Sequence, residues 1–188
     1  MKNRKSNRLE NYDYSQNGMY FATICAKNKD ECLGKIENGK MILNEIGKIL
    51  ETQLHRLKKQ YSNINMDCYA IMPNHLHLII EINNDIKNKN VGADLVSAHE
   101  NLGQTQGLSL RNVGLLSKII QGLKSKTSVE YIKLMKSKNK YYQTKIWQRS
   151  FYDHIIRNEM SLNKIREYMI TNPEMWERDR NNAENIFM

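Results

Sequence analysis

The chain has 188 residues, with 29 lysines and arginines against 20 acids and a formal net charge of +9. This length is enough for one domain with its own core, and the positive excess favours a polyanionic partner, most simply nucleic acid. Because no apolar run approaches the roughly 18 residues of a membrane helix, and none follows the polar first residues, we expect neither a membrane span nor a signal peptide and predict a cytoplasmic protein.

The first part of the chain predicts an arm followed by strands. Residues 1–17 are polar and carry several lysines and arginines, so we expect a basic, flexible arm. Aromatic and β-branched residues at 19–26 predict a first strand. Asn38 and Gly39 separate two short apolar runs, and because both residue types tolerate φ > 0 the pair predicts a hairpin turn.

The apolar period then changes from strand-like to helical. Apolar residues recur every three or four positions over 44–60, which predicts an amphipathic helix with Asn44 as its candidate N-cap. Residues 64–71 predict another strand, and residues 71–80 predict a strand that follows it closely. We therefore expect these two strands to form an antiparallel pair.

The middle of the chain predicts a loop and then a helical region. Residues 83–109 are polar and aperiodic, so we predict a long mobile loop within one domain, with His99 as a solvated loop histidine. Helical spacing of apolar residues follows over 110–133. Gly122 weakens the middle of this helix, and Thr127 and Ser128 are the candidate start of a second short helix at 129–135.

The last part of the chain predicts an extended segment and a final helix. Apolar and aromatic residues at 146–156 are typical of extended chain. A helix is predicted from Ser161, its candidate N-cap, to Thr171, and Pro173 ends it because the residue before proline avoids the α conformation. Residues 179–188 are assigned to a tail outside the domain.

The excess positive charge is concentrated in residues 111–149, which hold ten lysines and arginines against a single acid. Lysine and arginine neutralise phosphates, and the aromatic residues between them can stack on unpaired bases. The alternative is a solvated helix face with aromatic residues in the core. As candidate nucleic-acid-binding residues we select Arg111, Lys118, Lys124, Lys126, Lys145, Trp147 and Arg149.

His75 and His77 lie two positions apart in the strand predicted at 71–80, so their side chains point to one face. Two imidazoles with Cα atoms roughly 6.6 Å apart can chelate one divalent ion or grip one phosphate. Leu76 and Leu78 then point into the core and fix the strand. The alternative is a pair of strand histidines satisfied by local hydrogen bonds.

Tyr168 and Asn172 are four residues apart on the last predicted helix, so a phenol and an amide oxygen share one helix face. If that face meets the histidines, the nitrogen and oxygen donors suit Mg²⁺ or Mn²⁺ better than a thiolate-binding metal. Such an ion withdraws negative charge from a phosphodiester. A tyrosine that is activated locally can then attack the phosphorus, and the phosphotyrosine bond that forms keeps the energy of the broken bond for rejoining the DNA. A helical tyrosine is more often a core residue, and an asparagine before proline is more often a cap.

Three motifs occur in order along the chain: MPNHLH at 72–77, WQRSFYDHIIR at 147–157 and YMITNP at 168–173. With these motifs, and over about residues 18–178, the chain resembles the REP-associated tyrosine transposases. These are bacterial relatives of the single-tyrosine transposases in the HUH endonuclease superfamily. The loop at 83–109 is longer than the core pattern of this family needs. It therefore bears on which DNA sequence the protein recognises, and not on the chemistry that the resemblance implies.

The resemblance implies an α+β, ferredoxin-like domain with a central antiparallel sheet and helices packed on it. It implies that His75 and His77 are metal ligands, that Tyr168 is the nucleophile, and that Asn172 completes a Mg²⁺ or Mn²⁺ site. The implied substrate is single-stranded DNA near hairpins of repeated extragenic palindromes. A monomer or a homodimer is expected, in which the tyrosine reaches the metal within one chain or across two.

Tyr152 is an alternative nucleophile, because it lies in the second motif. It sits in an apolar run without a polar partner at helical spacing, so Tyr168 is preferred. Two other functions remain open: a DNA-binding regulator without cleavage, and a metal-dependent RNA phosphoesterase in which His75 and His77 act as general acid and base. Only the DNA nicking and joining function predicts a covalent protein–DNA adduct.

Overall fold

The computed structural model of this protein describes residues 12–85, 114–179 and 181–182. Most of the loop predicted at 83–109 and most of the predicted arm lie outside these residues, as do His99 and Arg111. The described residues form six strands and three α-helices: β1 (Gly18–Cys25), β2 (Gly34–Glu37), β3 (Lys40–Leu43), α1 (Glu45–Gln60), β4 (Ile64–Met72), β5 (His75–Ile82), α2 (Leu115–Ser137), β6 (Tyr152–Ile156) and α3 (Glu159–Thr171).

The central sheet is antiparallel throughout, with its strands in the spatial order β4, β5, β1 and β6. Strands β2 and β3 pair with each other in a separate hairpin. Without that hairpin, the core elements follow the βαββαβ order of the ferredoxin-like fold, and α3 comes after them. The structure therefore confirms the predicted α+β class with helices packed on a central antiparallel sheet.

The two faces of the sheet bury different residues, because side chains alternate along each strand. Leu76, Leu78 and Ile80 of β5 join the main hydrophobic core, together with apolar residues of α1 and α2. Ile79 points to the opposite face and packs with Leu162 of α3 in a smaller cluster. The histidines of β5 share the alternation of Ile79 and therefore lie on the α3 face.

Local sequence signals set the first helix and the hairpin as predicted. Asn44 caps α1, because its Oδ1 accepts hydrogen bonds from the backbone N–H groups of Ile46 and Gly47 at 2.9 and 3.0 Å. Asn38 and Gly39 have φ values of 51° and 71°, the positive values that a two-residue hairpin turn requires.

Two predictions about the later helices are wrong. α2 continues through Gly122 instead of ending before a separate helix at 129–135. A glycine costs about 1 kcal/mol inside a helix, and burial of apolar side chains on both sides of this one offsets that cost. α3 begins at Glu159, because Asn158 rather than Ser161 is its N-cap and accepts a hydrogen bond from the Ser161 N–H at 2.8 Å.

The segment predicted to be extended at 146–156 contains β6 in its second half. In its first half, Trp147 makes a single antiparallel bridge with Ala26, just after the end of β1. None of the helices in the described part of the chain is both long and apolar enough to cross a membrane.

Candidate metal and tyrosine site

β5 presents His75 and His77 on the face of the sheet that α3 covers. In the sheet register, His75 lies opposite Cys25 of β1, and His77 lies opposite Thr23. Both imidazoles are buried, and their Nε2 atoms are 2.9 Å apart. Each histidine therefore directs one ring nitrogen to a common point.

Asn74 fixes the tautomer of His75. Its Nδ2 amide donates hydrogen bonds to the carbonyls of Lys29 and Asn181, at 3.1 and 2.7 Å. These two acceptors identify the amide nitrogen, so the remaining Oδ1, 2.8 Å from His75 Nδ1, must accept a hydrogen bond from that ring nitrogen. With the proton held at Nδ1, a neutral His75 keeps its lone pair on Nε2.

His77 is held by two residues of the neighbouring strand β1. Its Nδ1 lies 2.9 Å from the Thr23 hydroxyl, and its ring stacks on Phe21 with centroids 5.2 Å apart and planes inclined by 26°. The Thr23 hydroxyl can accept a hydrogen bond from His77 Nδ1, and the packing against Phe21 sets the orientation of the imidazole ring. Both contacts leave Nε2 facing His75 and α3.

Tyr168 on α3 reaches the histidines within a single chain. Its hydroxyl oxygen is 3.2 Å from His77 Nε2, although 91 residues separate the two in sequence. The tyrosine ring remains 42 % exposed, so the hydroxyl is held at the edge of an open site rather than in the core. This arrangement places a phenolic oxygen beside the facing Nε2 atoms of the two histidines.

An ion pair helps to position α3 on the sheet. Arg166 of α3 donates two hydrogen bonds to the carboxylate of Asp67 on β4, one of them from Nε at 2.9 Å. The guanidinium holds the pKa of the Asp67 carboxyl below its usual value. Because both groups are partly exposed, packing of Leu162 and Met169 contributes more to holding the helix.

Asn172 follows Tyr168 by one turn and is 2 % exposed. Among the described residues its Nδ2 has no hydrogen-bond partner, so the amide can rotate to exchange its oxygen and nitrogen without losing a bond from Nδ2. Asn172 and Tyr168 open on one cavity of about 600 Å³, the site cavity, which is lined by Phe21, His77, Tyr168, Thr171, Asn172, Met175, Arg178 and Asp179.

Asp179 is a site residue that the sequence analysis missed. The short 3₁₀ helix Trp176–Arg178 places the Trp176 ring 6.1 Å from that of His75 and delivers Asp179 directly afterwards. The Asp179 carboxylate is buried, with Oδ2 4.0 Å from His75 Nε2 and Oδ1 accepting a hydrogen bond from the Asn181 N–H at 2.6 Å. Neither helical nor strand spacing relates Asp179 to the three motifs, because the 3₁₀ helix before it returns the chain to the sheet.

The donor set fits a divalent cation. Two imidazole nitrogens at about 2.1 Å from one ion, and at right angles to each other, lie about 3.0 Å apart. The Nε2 atoms of His75 and His77 have nearly this separation, and the ligand atoms of His75, His77 and Asp179 all lie within 4.8 Å of one another. Two imidazole nitrogens and a carboxylate oxygen are donors that bind divalent metal ions.

Asn74→Ala is expected to weaken Mn²⁺ binding roughly 10- to 100-fold, because loss of an outer partner releases the tautomer and orientation of a ligand histidine. Isothermal titration with Mn²⁺ measures the affinity, and long-range ¹H–¹⁵N NMR reports whether His75 leaves the Nδ1–H tautomer. Asn63→Ala is the matched control, since this buried asparagine bonds to Asn84 away from the histidines. Equal Mn²⁺ affinities in the two variants would contradict a positioning role for Asn74.

The candidate nucleic-acid-binding residues of α2 lie away from the histidines. α2 packs on the opposite face of the sheet, and its Lys118 and Lys126 are exposed. Lys124 turns inward, where its Nζ donates to the carbonyls of Gln148 and Ser150 at 3.0 and 2.8 Å. Burial lowers the pKa of Lys124 to about 8. This lysine therefore fastens the segment before β6 to α2.

Other candidates lie in the segment that precedes β6. Trp147 is partly buried and packs against the main core, whereas Lys145 and Arg149 on either side of it are exposed. Arg178, which the sequence analysis did not select, lines the site cavity beside Tyr168 and Asp179. Of these exposed cations, Arg178 is the one that shares a cavity with His77.

Tyr152, the alternative nucleophile, lies on the edge strand β6. It pairs with Thr23 of β1, which in turn pairs with His77 of β5, so the three residues share one face of the sheet. Two strand spacings separate Tyr152 from His77, which corresponds to about 10 Å. Tyr168, by contrast, contacts His77 directly.

Comparison with known proteins finds a relative in sequence and similar folds among solved structures. No protein-family model matches the sequence. Over 178 residues the chain is 35 % identical to an uncharacterized protein of Haemophilus influenzae, a match that covers 94 % of this chain and 92 % of the relative. The structure is similar to that of a REP-associated tyrosine transposase bound to a REP hairpin, with a TM-score of 0.53 and 16 % identity over 88 % of this chain and 72 % of that chain. At this identity the likeness shows a common fold, as the sequence motifs predicted.

Proposed function

We propose that this chain, which belongs to the same family as the Haemophilus influenzae protein and has the fold of a tyrosine transposase, nicks and rejoins single-stranded DNA near hairpins. One observation carries the proposal: Tyr168 Oη contacts His77 Nε2 beside the buried cluster of His75, His77 and Asp179. A nucleophile and a set of metal ligands thus share one cavity. All of these groups come from one chain.

The proposed metal ligands are His75, His77 and Asp179, with the Asn172 amide oxygen in reach of the same cavity. Mg²⁺ or Mn²⁺ bound there supplies charge neutralisation at a scissile phosphate. Asn74 keeps the proton of His75 on Nδ1, which leaves Nε2 as the ligand atom. Arg178 lines the same cavity and adds a fixed positive charge for the DNA backbone.

Tyr168 is the proposed nucleophile. Its phenolic oxygen attacks the phosphorus and the phenolic proton leaves to water, while the bond between phosphorus and the oxygen of the departing strand breaks. That oxygen takes up a proton from water and becomes a free hydroxyl end. The new phosphotyrosine bond keeps the energy of the broken one. Attack by a strand hydroxyl on that phosphorus then joins the DNA and restores the tyrosine.

Binding to single-stranded DNA is expected to weaken steeply with salt. Each phosphate neutralised by an exposed cation such as Lys145, Arg149 or Arg178 contributes about 0.7 to the slope of log affinity against log salt. Fluorescence anisotropy between low and physiological salt measures this slope. A flat response would show that the basic residues form only a solvated surface.

Covalent trapping tests the proposed function. The protein is incubated with Mn²⁺ and a hairpin-bearing single strand labelled in turn at each end, and the products are separated on denaturing gels. A labelled band that migrates with the protein is expected. Binding without an adduct would favour a regulator, and cleavage of RNA without an adduct would favour a phosphoesterase.

A further inference from the structure

A second cavity opens on the histidine face of the sheet. It has a volume of about 240 Å³ and is lined by Cys25, Lys29, Gln148, Tyr152 and Asn181. The end of β1, the segment before β6 and the residues after Asp179 meet at this place. We call it the second cavity.

The register of the sheet places the second cavity next to the site. Cys25 pairs with His75, and the N–H of Gln148 donates to the Cys25 carbonyl at 3.0 Å. Tyr152 pairs with Thr23, which lies opposite His77. Cys25 is therefore one strand spacing of about 4.8 Å from His75, and Tyr152 is two spacings from His77, a span that adjacent nucleotides of one strand can bridge.

Asn181 connects the second cavity to the site and offers an unused hydrogen-bond donor. Its backbone carbonyl accepts from Asn74, and its N–H donates to Asp179. The residue is 7 % exposed, yet among the described residues its Nδ2 has no hydrogen-bond partner. A buried amide donor without an acceptor costs free energy, which a ligand that supplies an acceptor recovers.

Tyr152 gives the second cavity an aromatic surface. Tyr152 is 49 % exposed at the edge of the sheet, where a side chain gains little from packing. Lys29 adds a positive charge to the same cavity. An exposed ring, an amide donor and a cation together match the three parts of a nucleotide: the base plane, the base edge and the phosphate.

We infer that the second cavity binds one unpaired nucleobase of the same DNA strand whose phosphate lies at Tyr168. The base stacks on Tyr152, the Asn181 amide donates to an acceptor on the base edge, and Lys29 meets the adjoining phosphate. Every base carries such an acceptor, so the cavity takes an unpaired base in general. The inference rests on the proposed function and gives Tyr152 a binding role instead of that of a nucleophile.

The test compares two fluorescent probes in EDTA, so that neither metal nor cleavage contributes: a short oligo(dA) strand and an abasic strand of the same length. Tyr152→Ala should lower the affinity for oligo(dA) about tenfold, the loss of one base stack, and change the affinity for the abasic strand less than twofold. Tyr152→Phe keeps the ring and should bind as the wild type does. Tyr141→Ala is the matched control, because Tyr141 is 93 % exposed and does not line either cavity.

Asn181→Ala provides a second measurement that does not depend on the edge strand. Removing a donor without a partner should leave the thermal midpoint unchanged while selectively weakening oligo(dA) binding. Equal losses on the two probes, or no loss in either alanine variant, would overturn the second cavity as a base site while DNA binding itself stands. If the wild type binds neither probe, this inference fails, whereas the proposed function fails only if no adduct forms on the hairpin-bearing strand.

Discussion

Tyr168→Phe is expected to remove the covalent protein–DNA adduct completely. The substitution deletes only the phenolic oxygen that lies 3.2 Å from His77 Nε2, and the ring still packs against its neighbours. The lost hydrogen bond is half-exposed and contributes about 1 kcal/mol or less to stability. Folding and DNA affinity should therefore stay close to those of the wild type, as measured by thermal melting and anisotropy.

Tyr152→Phe is the matched control for the nucleophile, because both tyrosines lie on the histidine face of the sheet. This variant should still form the adduct. Mass spectrometry of the trapped peptide identifies the modified residue. An adduct on Tyr152, or one that persists in Tyr168→Phe, would show that the wrong tyrosine was chosen.

His77→Ala is expected to abolish cleavage and to lower Mn²⁺ affinity, because it removes one of the proposed ligand atoms of the cluster. His75→Ala should likewise abolish cleavage and lower Mn²⁺ affinity.

Asp179→Asn replaces a carboxylate by an amide, and we expect the Mn²⁺ affinity of this variant to fall by more than about tenfold, since the negative charge that a hard cation prefers is lost. Asn172→Ala should raise the metal concentration needed while some activity remains. Calorimetry with Mn²⁺ and gel assays of cleavage measure these effects.

His154→Ala is the control for the histidine variants, because His154 is exposed on β6 of the same sheet. It should retain both Mn²⁺ binding and cleavage. DNA affinity should survive in all of these variants, since we expect the phosphate contacts to come from exposed lysines and arginines rather than from the buried cluster. Wild-type cleavage in a variant that lacks both His75 and His77 would refute the metal site.

The parts of the site that follow local rules could be predicted from the sequence. The alternation of a strand puts His75 and His77 on one face, and helical spacing puts Tyr168 and Asn172 one turn apart. Their meeting across the sheet depends on tertiary packing, and it was expected only through the family resemblance. The ferredoxin-like order followed from the same resemblance and agrees with the observed strand pairing.

Other features had no local signal. Asp179 reaches His75 only because a turn of 3₁₀ helix reverses the chain after α3, so its position depends on three-dimensional packing. The helix propensity of Gly122 predicted a break, but tertiary burial overrides a cost of about 1 kcal/mol. Lys124 looked like a phosphate ligand in a basic run, and only the fold reveals that it bonds to the carbonyls of Gln148 and Ser150.

The wide sequence separation of the clustered residues has a consequence for biosynthesis. Asp179 is made more than 100 residues after His75, which at ribosomal rates of 5–20 residues per second is a delay of roughly 5–20 s. The carbonyl of Asn181, which holds the Asn74 amide, arrives later still. A nascent chain can therefore pair β5 with β1 and β4 well before the cluster is complete. The acidic member of the cluster is among the last parts of the described structure to be synthesised, so incomplete chains that end before it carry the sheet and the histidines without that carboxylate.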